Sequence, residues 1–134
     1  MIKRVLVPER LRKIERDFAC IEHRFLREGF VAALTHPELT LYFFLVLAAD
    51  RQGLSFYSYE SICSILKMEL DDYIEAKNAL IRKDLIAFDG RLFQVLSLPE
   101  KPRPPKPLKT SEDMERGDPA TIRHIFTQAF GKKP

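Results

Sequence analysis

The chain has 134 residues, 46% of them hydrophobic and 31% charged, with a net charge of +3. That length suits one compact domain with extensions, and the apolar content supports one core but not two. The composition is ordinary for a soluble globular protein.

The cysteines narrow the field further. Cys20 and Cys63 stand 43 positions apart with no second thiol beside either, which rules out a disulfide framework and a CxxC zinc site. Each sits in an apolar helical pattern, so both are read as reduced core thiols. MIKRVLVPER carries charges but no apolar h-region, so it is not read as a signal peptide. The most apolar run, Leu39 to Ala49, is too short to span a bilayer. A cytoplasmic protein without membrane contact is the expectation.

Charge is distributed unevenly. Residues 1–16 hold six basic side chains against two acidic ones, for +4. Residues 69–84 hold three basic against five acidic, for −2, and residues 117–134 return to +2. Residues 1–16 read as a basic arm, with Val5, Val7 and Leu11 weakly alternating around Pro8. Lys3, Arg4, Arg10, Arg12 and Lys13 suit a phosphate backbone, where cations displace condensed counterions.

Residues 17–33 read as a helix. Asp17 is its expected N-cap, and Phe18, Ile21, Phe25, Leu26 and Phe30 form its apolar face. Glu22, His23 and Arg24 fall on its outer side; His23 has no partner motif and reads as a surface histidine. Gly29 would end or kink the helix.

Residues 35–51 predict the central helix. Thr35 caps it, His36 and Pro37 occupy its first turn, and Glu38 suits its positive end. The run from Leu39 to Leu47 is apolar on most of its circumference, so the helix is expected to be covered from two sides, with 17–33 as its second partner. Core packing is the preferred reading for Phe43 and Phe44, over a membrane or dimerisation role.

Leu54–Tyr57 then reads as a short strand. Ser58 caps a helix whose Ile62, Ile65 and Leu66 face the core, and Lys67-Met68 make a turn. A further helix runs from about Glu69 to Lys83 with Tyr73, Ala76, Leu80 and the stem of Lys77 inside. Residues 84–98 read as a hairpin with Asp89-Gly90 as its two-residue turn. PEKPRPPKPLKT, with five prolines in 12 residues, reads as a stiff spacer, over the sharper reading of a polyproline ligand for an SH3 or WW partner. Asp118 and Pro119 open a short amphipathic helix bearing Ile122, Ile125, Phe126 and Phe130. Such a helix docks on its own domain or binds a partner; Phe126 and Phe130 are the candidates for a homodimer or protein contact.

The stretch Leu41–Phe93, and FYSYESICSILKMELDDYIEAKNALIRKDLIAF within it, resembles the winged helix-turn-helix superfamily. The nearer likeness is to bacterial replication initiators and phage or plasmid regulators. Residues 76–86 look like the end of the recognition helix followed by a strand-opening Leu-Ile, with Asp84 where the family usually has Gly. Aspartate tolerates left-handed φ better than most residues. The opening MIKRVLVPERLRKI also resembles small winged-helix proteins encoded beside transposable elements.

The resemblance implies a mainly α, α+β fold: a winged helix-turn-helix with an additional N-terminal helix, a short three-stranded wing sheet and a tethered C-terminal helix. The implied organisation is an arm (1–16), a winged helix domain (17–98), a proline-rich linker (99–117) and a helical tail (118–134). It implies that the second helix of the pair enters the major groove and the wing touches backbone. Carried onto this chain, the groove-facing positions are Glu69, Leu70, Asp71, Asp72, Glu75 and Asn78. Asn78 can read adenine, but four carboxylates are repelled by phosphate. Contact with DNA is therefore expected from Lys3, Arg4, Arg10, Arg12 and Lys13, from Asn78, Arg82, Lys83 and Arg91, and from the terminal Lys132 and Lys133.

Three functions compete. One is a non-catalytic DNA-binding accessory or regulatory protein, acting in transcription regulation or in a mobile element, with double-stranded DNA as partner. The second is a protein-interaction or dimerisation adaptor on the same fold. The third, an enzyme, finds no nucleophile–base pair, no phosphate loop and no metal spacing; His23, His36 and His124 are scattered. No cofactor, metal ligand or catalytic residue is expected.

Overall fold

The computed structural model describes residues 2–13 and 17–102. The linker beyond 102 and the tail, with Phe126, Phe130, Lys132 and Lys133, lie outside the described residues. Among the described residues the fold is mixed α+β: four α-helices and a small antiparallel sheet. The order is α1 (Arg24–Arg27), α2 (His36–Ala48), β1 (Leu54–Ser55), α3 (Tyr59–Leu66), α4 (Leu70–Arg82), β2 (Ile86–Phe88) and β3 (Phe93–Val95).

The central helix begins where its chemistry predicts. The Thr35 hydroxyl accepts from the Glu38 amide at 3.4 Å, and the Glu38 carboxylate accepts from the Thr35 amide at 3.3 Å. This reciprocal box satisfies two N–H groups that an open helix end leaves without partners. From there α2 buries Leu41, Tyr42, Phe44 and Leu45 against α4, α3 and the sheet.

The expected helix over 17–33 is not formed. Residues 17–22 have no helical structure, α1 is a single turn, and a 3-10 turn follows at Val31–Ala33. Helices below about 12 residues need packing to persist. Here Gly29 at φ +89 breaks the segment, and Phe18 and Ile21 have no core beneath them. Leu26 is also exposed, and Cys20 lies at the surface rather than in the core. What does cover α2 is a stack of rings: Phe25 lies 4.9 Å from Tyr42 and 5.9 Å from Phe30, both nearly parallel.

Arg24 was expected on the outer side; it is instead the fastener of this corner. Its guanidinium donates to Glu28 at 2.8 Å and Glu22 at 3.2 Å, and to the carbonyls of Leu98 and Pro99 at 2.9 and 2.8 Å. These bonds hold the first residues of the proline-rich stretch against α1, and Pro99 is buried there. The ion pairs raise the Arg24 pKa above its ordinary value, led by the hydrogen bond to Glu28.

The α3–α4 pair follows its punctuation. The Ser58 hydroxyl accepts from the Ser61 amide at 3.1 Å and caps α3. Lys67, at φ 54, turns the chain, and the Met68 amide returns to the Cys63 carbonyl. At the end of α4, Asp84 takes φ 67, its amide donates to Ile81 and the Leu85 amide donates to Leu80, each at 3.0 Å. This is the double bond of a Schellman terminus, which left-handed aspartate accommodates. Inside, Ile62, Tyr73, Ala76 and Leu80 are buried as expected, while Ile65 points outward at 54% exposure. Ile62 and Leu66, four apart, set the inner stripe, and position 65 falls off it.

β3 lies between β1 and β2, pairing antiparallel with both. Phe93 stands opposite Phe88 and Ser55, so Ile86, Phe88 and Phe93 reach the core while Gln94 faces solvent. Leu54–Ser55 is all of the strand predicted over 54–57, and Phe56 and Tyr57 are exposed. Gly53 is needed beside this sheet. A Cβ there would lie 2.7 Å from the Val95 carbonyl, and Gly53 holds φ +85.

The hairpin turn differs from the expected Asp89-Gly90 pair. The loop runs from 89 to 92, and the Asp89 carboxylate accepts from the amides of Leu92 at 2.7 Å and Arg91 at 2.9 Å. These two bonds hold the Asp89 pKa below its ordinary value. A depressed folded pKa gives stability that is present above the ordinary aspartate pKa and is lost as pH falls through the folded value. Wild type should therefore exceed Asp89→Asn in urea midpoint at pH 7, with the difference shrinking toward pH 3. A pH-independent difference would contradict the ionised-acceptor role.

Candidate nucleic-acid interface

Every described residue of the arm, 2–13, is exposed. A 3-10 turn at Pro8–Arg10 bends it, closed by the Arg10 amide on Val7 and the Leu11 amide on Pro8. Lys3, Arg4, Arg10, Arg12 and Lys13 thus stand in solvent, interleaved with Ile2, Val5, Leu6, Val7 and Leu11, which are also uncovered. Extended chain spans at most about 3.6 Å per residue, so Lys3 to Lys13 covers no more than roughly 36 Å.

Arg91 is at the hairpin tip. It is exposed, with its guanidinium 5.6 Å from the Phe56 ring centre. That stacking leaves a cation presented at the hairpin end of the sheet. Arg82, half-buried, occupies the last turn of α4, where a cation complements the helix dipole.

Two of the sequence-derived contacts are placed differently. The Lys83 ammonium donates to Glu38 at 2.6 Å and to the Ala33 carbonyl at 2.8 Å. The side chains of the pair are 14% and 11% exposed, so this cation joins α4 to the start of α2 rather than facing solvent. Asn78 is half-buried, and its amide oxygen is enclosed without a hydrogen-bond partner among the described residues. The acceptor and donor edge that would read adenine is not offered outward together.

The outer face of α4 is acidic, as its sequence implies. Glu69, Asp71, Asp72 and Glu75 are exposed, and Asp71 and Asp72 occupy the positive end of the helix. The inner face holds Lys77, wholly buried, with its ammonium 5.1 Å from the Phe88 ring centre and 5.9 Å from that of Tyr73. Aromatic faces stabilise a cation where water is excluded. Sequence reasoning buried the stem alone; the ring at Phe88 comes from β2 and is visible only in the fold. Burial raises the Tyr73 hydroxyl pKa, with Cys63 adding to it, and raises the Cys63 thiol, with Glu69 adding to that.

A cavity of about 430 Å³ lies between residues 18–22, Tyr42 and Val46 of α2, and residues 95–98. Among the described residues no group of three or more His, Cys, Asp or Glu is placed to hold a metal, and no helix is long and apolar enough to cross a membrane.

The fold and the site together define a small α+β domain with an exposed cationic arm and an acidic outer helix. Comparison with family models, with curated proteins and with solved structures finds no match.

Proposed function

We propose that this is a non-catalytic, cytoplasmic DNA-binding accessory or regulatory protein, in which a winged helix arrangement presents a basic arm to the phosphate backbone. The observation that carries the reading is the arm: five cations within Lys3–Lys13, all in solvent, on a segment with no buried residue among those described. The order helix, strand, capped helix pair and hairpin, which is that of the resembled superfamily, supports it. Arg91 and Arg82 add cations at the hairpin tip and the end of α4. Recognition is phosphate-led, because the outer face of α4 carries carboxylates and Asn78 is turned partly inward. Sequence-independent binding follows, with regulation of transcription or of a mobile element as its setting.

The test is a fluorescence-anisotropy titration of the full chain against a generic duplex at about 50 and 200 mM salt. Phosphate-led binding loses affinity steeply between the two, with a logarithmic slope near 0.9 per contact. No binding at the lower salt overturns the proposal, and salt-insensitive binding overturns the phosphate-led mode.

A second reading, a protein-interaction adaptor on the same fold, is favoured by one observation: the exposed carboxylates of α4 suit a basic protein surface better than a duplex.

A further inference from the structure

The cavity beside the central helix has a floor, a far wall and a strap. The floor is the side of α2 that carries Tyr42, Val46 and Ala49, at the spacing of one helical face. The far wall is residues 95–98. Residues 18–22 cross it as a strap that is neither helix nor strand, and their amides donate no backbone hydrogen bond among the described residues. Tyr42 is the buried polar residue of the floor. It is 4% exposed, with its ring stacked on Phe25 at 4.9 Å. A buried tyrosine hydroxyl usually finds a hydrogen-bond partner. This one has none among the described residues, yet it is not sealed in as the Ser55 hydroxyl and the Asn78 oxygen are. The surface it keeps is toward the cavity that Tyr42 lines.

We propose that this cavity is a binding site for a small uncharged ring compound with one hydrogen-bonding oxygen, a phenol or an alcohol, received by the Tyr42 hydroxyl. Size sets the first limit. A cavity of about 150 Å³ accepts one benzene ring. The space here, about 430 Å³, therefore admits one or two rings. The walls set the second. Ile21, Val46, Val95, Leu96 and Leu98 supply apolar surface, as ligand pockets commonly do around a few placed polar groups.

Charge sets the third. The Glu22 carboxylate accepts from Arg24 at 3.2 Å. The Asp50 carboxylate accepts from the amides of Gln52 and Leu54 at 2.8 and 2.9 Å. Arg51 stands at the rim, in solvent. Each charge is engaged or hydrated, which leaves a neutral hydroxyl as the recognising group. Burial, with Glu22 adding to it, raises the Tyr42 pKa, so the hydroxyl keeps its proton and can donate it. The same Glu22 carboxylate disfavours an anionic ligand.

The inference is independent of DNA binding, and its test contains no nucleic acid. The full chain is titrated with 2-naphthol to about 3 mM and followed by amide proton–nitrogen spectra. Saturable shifts should appear at Ile21, Gly53 and Leu96, with a dissociation constant on the order of 1 mM or below, as suits so small a ligand. The corresponding naphthoate, with the same rings and a carboxylate, should bind at least about fivefold more weakly. Tyr42→Phe keeps the ring stack and removes only the oxygen. It should weaken naphthol binding about three- to tenfold. It should not lower the melting temperature, because the hydroxyl has no partner to lose, and this separates recognition from a structural role. Val46→Phe fills the space and should abolish the shifts while circular dichroism stays at its wild-type value. If that variant unfolds, Tyr42→Phe decides alone. Shifts that do not saturate mean that the cavity holds only water, and they overturn the inference. So does naphthol binding that Tyr42→Phe leaves unchanged, or naphthoate binding of equal strength.

Discussion

Replacing Lys3, Arg4, Arg10, Arg12 and Lys13 together by serine should lower affinity for generic duplex by at least about 10²-fold at roughly 50 mM salt. It should also flatten the salt dependence by up to about 4.5 units of logarithmic slope. The size follows from what a phosphate contact does. Each cation that sits on the backbone releases condensed counterions, and the release is most favourable when salt is dilute. The arm can supply this because no described residue of it is buried, so that none of its cations must leave a protein interior to reach DNA. The fold itself should be indifferent to the change, with an unaltered melting temperature. A companion set, Asp71→Asn, Asp72→Asn and Glu75→Gln, reports on orientation. If α4 faces the duplex, removing three like charges strengthens binding; if it faces away, affinity stays constant. An arm variant that binds as tightly as wild type would remove the proposed mode altogether.

Local chemistry made part of this legible in advance. Thr35 before His36-Pro37-Glu38, Ser58 before Tyr59, and Asp84 after Lys83 each mark a helix boundary, because capping and left-handed termini depend on residues within a few positions. The inner face of α4 was readable from spacing alone. What escaped was set by partners distant in sequence. The 17–33 segment has helical spacing, but without a surface to receive Phe18 and Ile21 the pattern has nothing to bury. Arg24 lies on what looks like an outer face, yet its carbonyl partners are more than 70 residues away at Leu98 and Pro99. The spacing of Glu22, Arg24 and Glu28 was the signal available for it. The hairpin turn moved because Asp89 uses its side chain to cap the loop, which a two-residue turn does not require. Charge counting picked out the exposed arm, but it could not separate a free lysine from one held in a clamp.

That clamp gives the largest expected change in stability. Glu38→Ala should destabilise the fold by about 3 kcal/mol or more, because it strips a mostly buried ammonium of its counter-ion. The Lys83 ammonium keeps the Ala33 carbonyl at 2.8 Å, which places the cost toward the lower end. Loss of the carboxylate also opens the capping box, leaving the Thr35 amide without its acceptor. For a domain of this size about 3 kcal/mol lowers the melting temperature by roughly 15 °C, measurable by calorimetry or urea unfolding. Lys83→Met should cost less, since Glu38 still accepts from Thr35. The double variant Glu38→Leu with Lys83→Met removes both charges and should recover much of the loss, as apolar replacement of buried pairs often does. If this double variant is as unstable as the sum of Glu38→Leu alone and Lys83→Met alone, the two residues are not coupled and the clamp is not what joins α4 to α2. The same lysine variant separates structure from contact. With Lys83 held by Glu38, Lys83→Met should leave the salt slope of DNA binding unchanged below its melting temperature. A slope reduced by about one would return this lysine to the phosphate-contacting set.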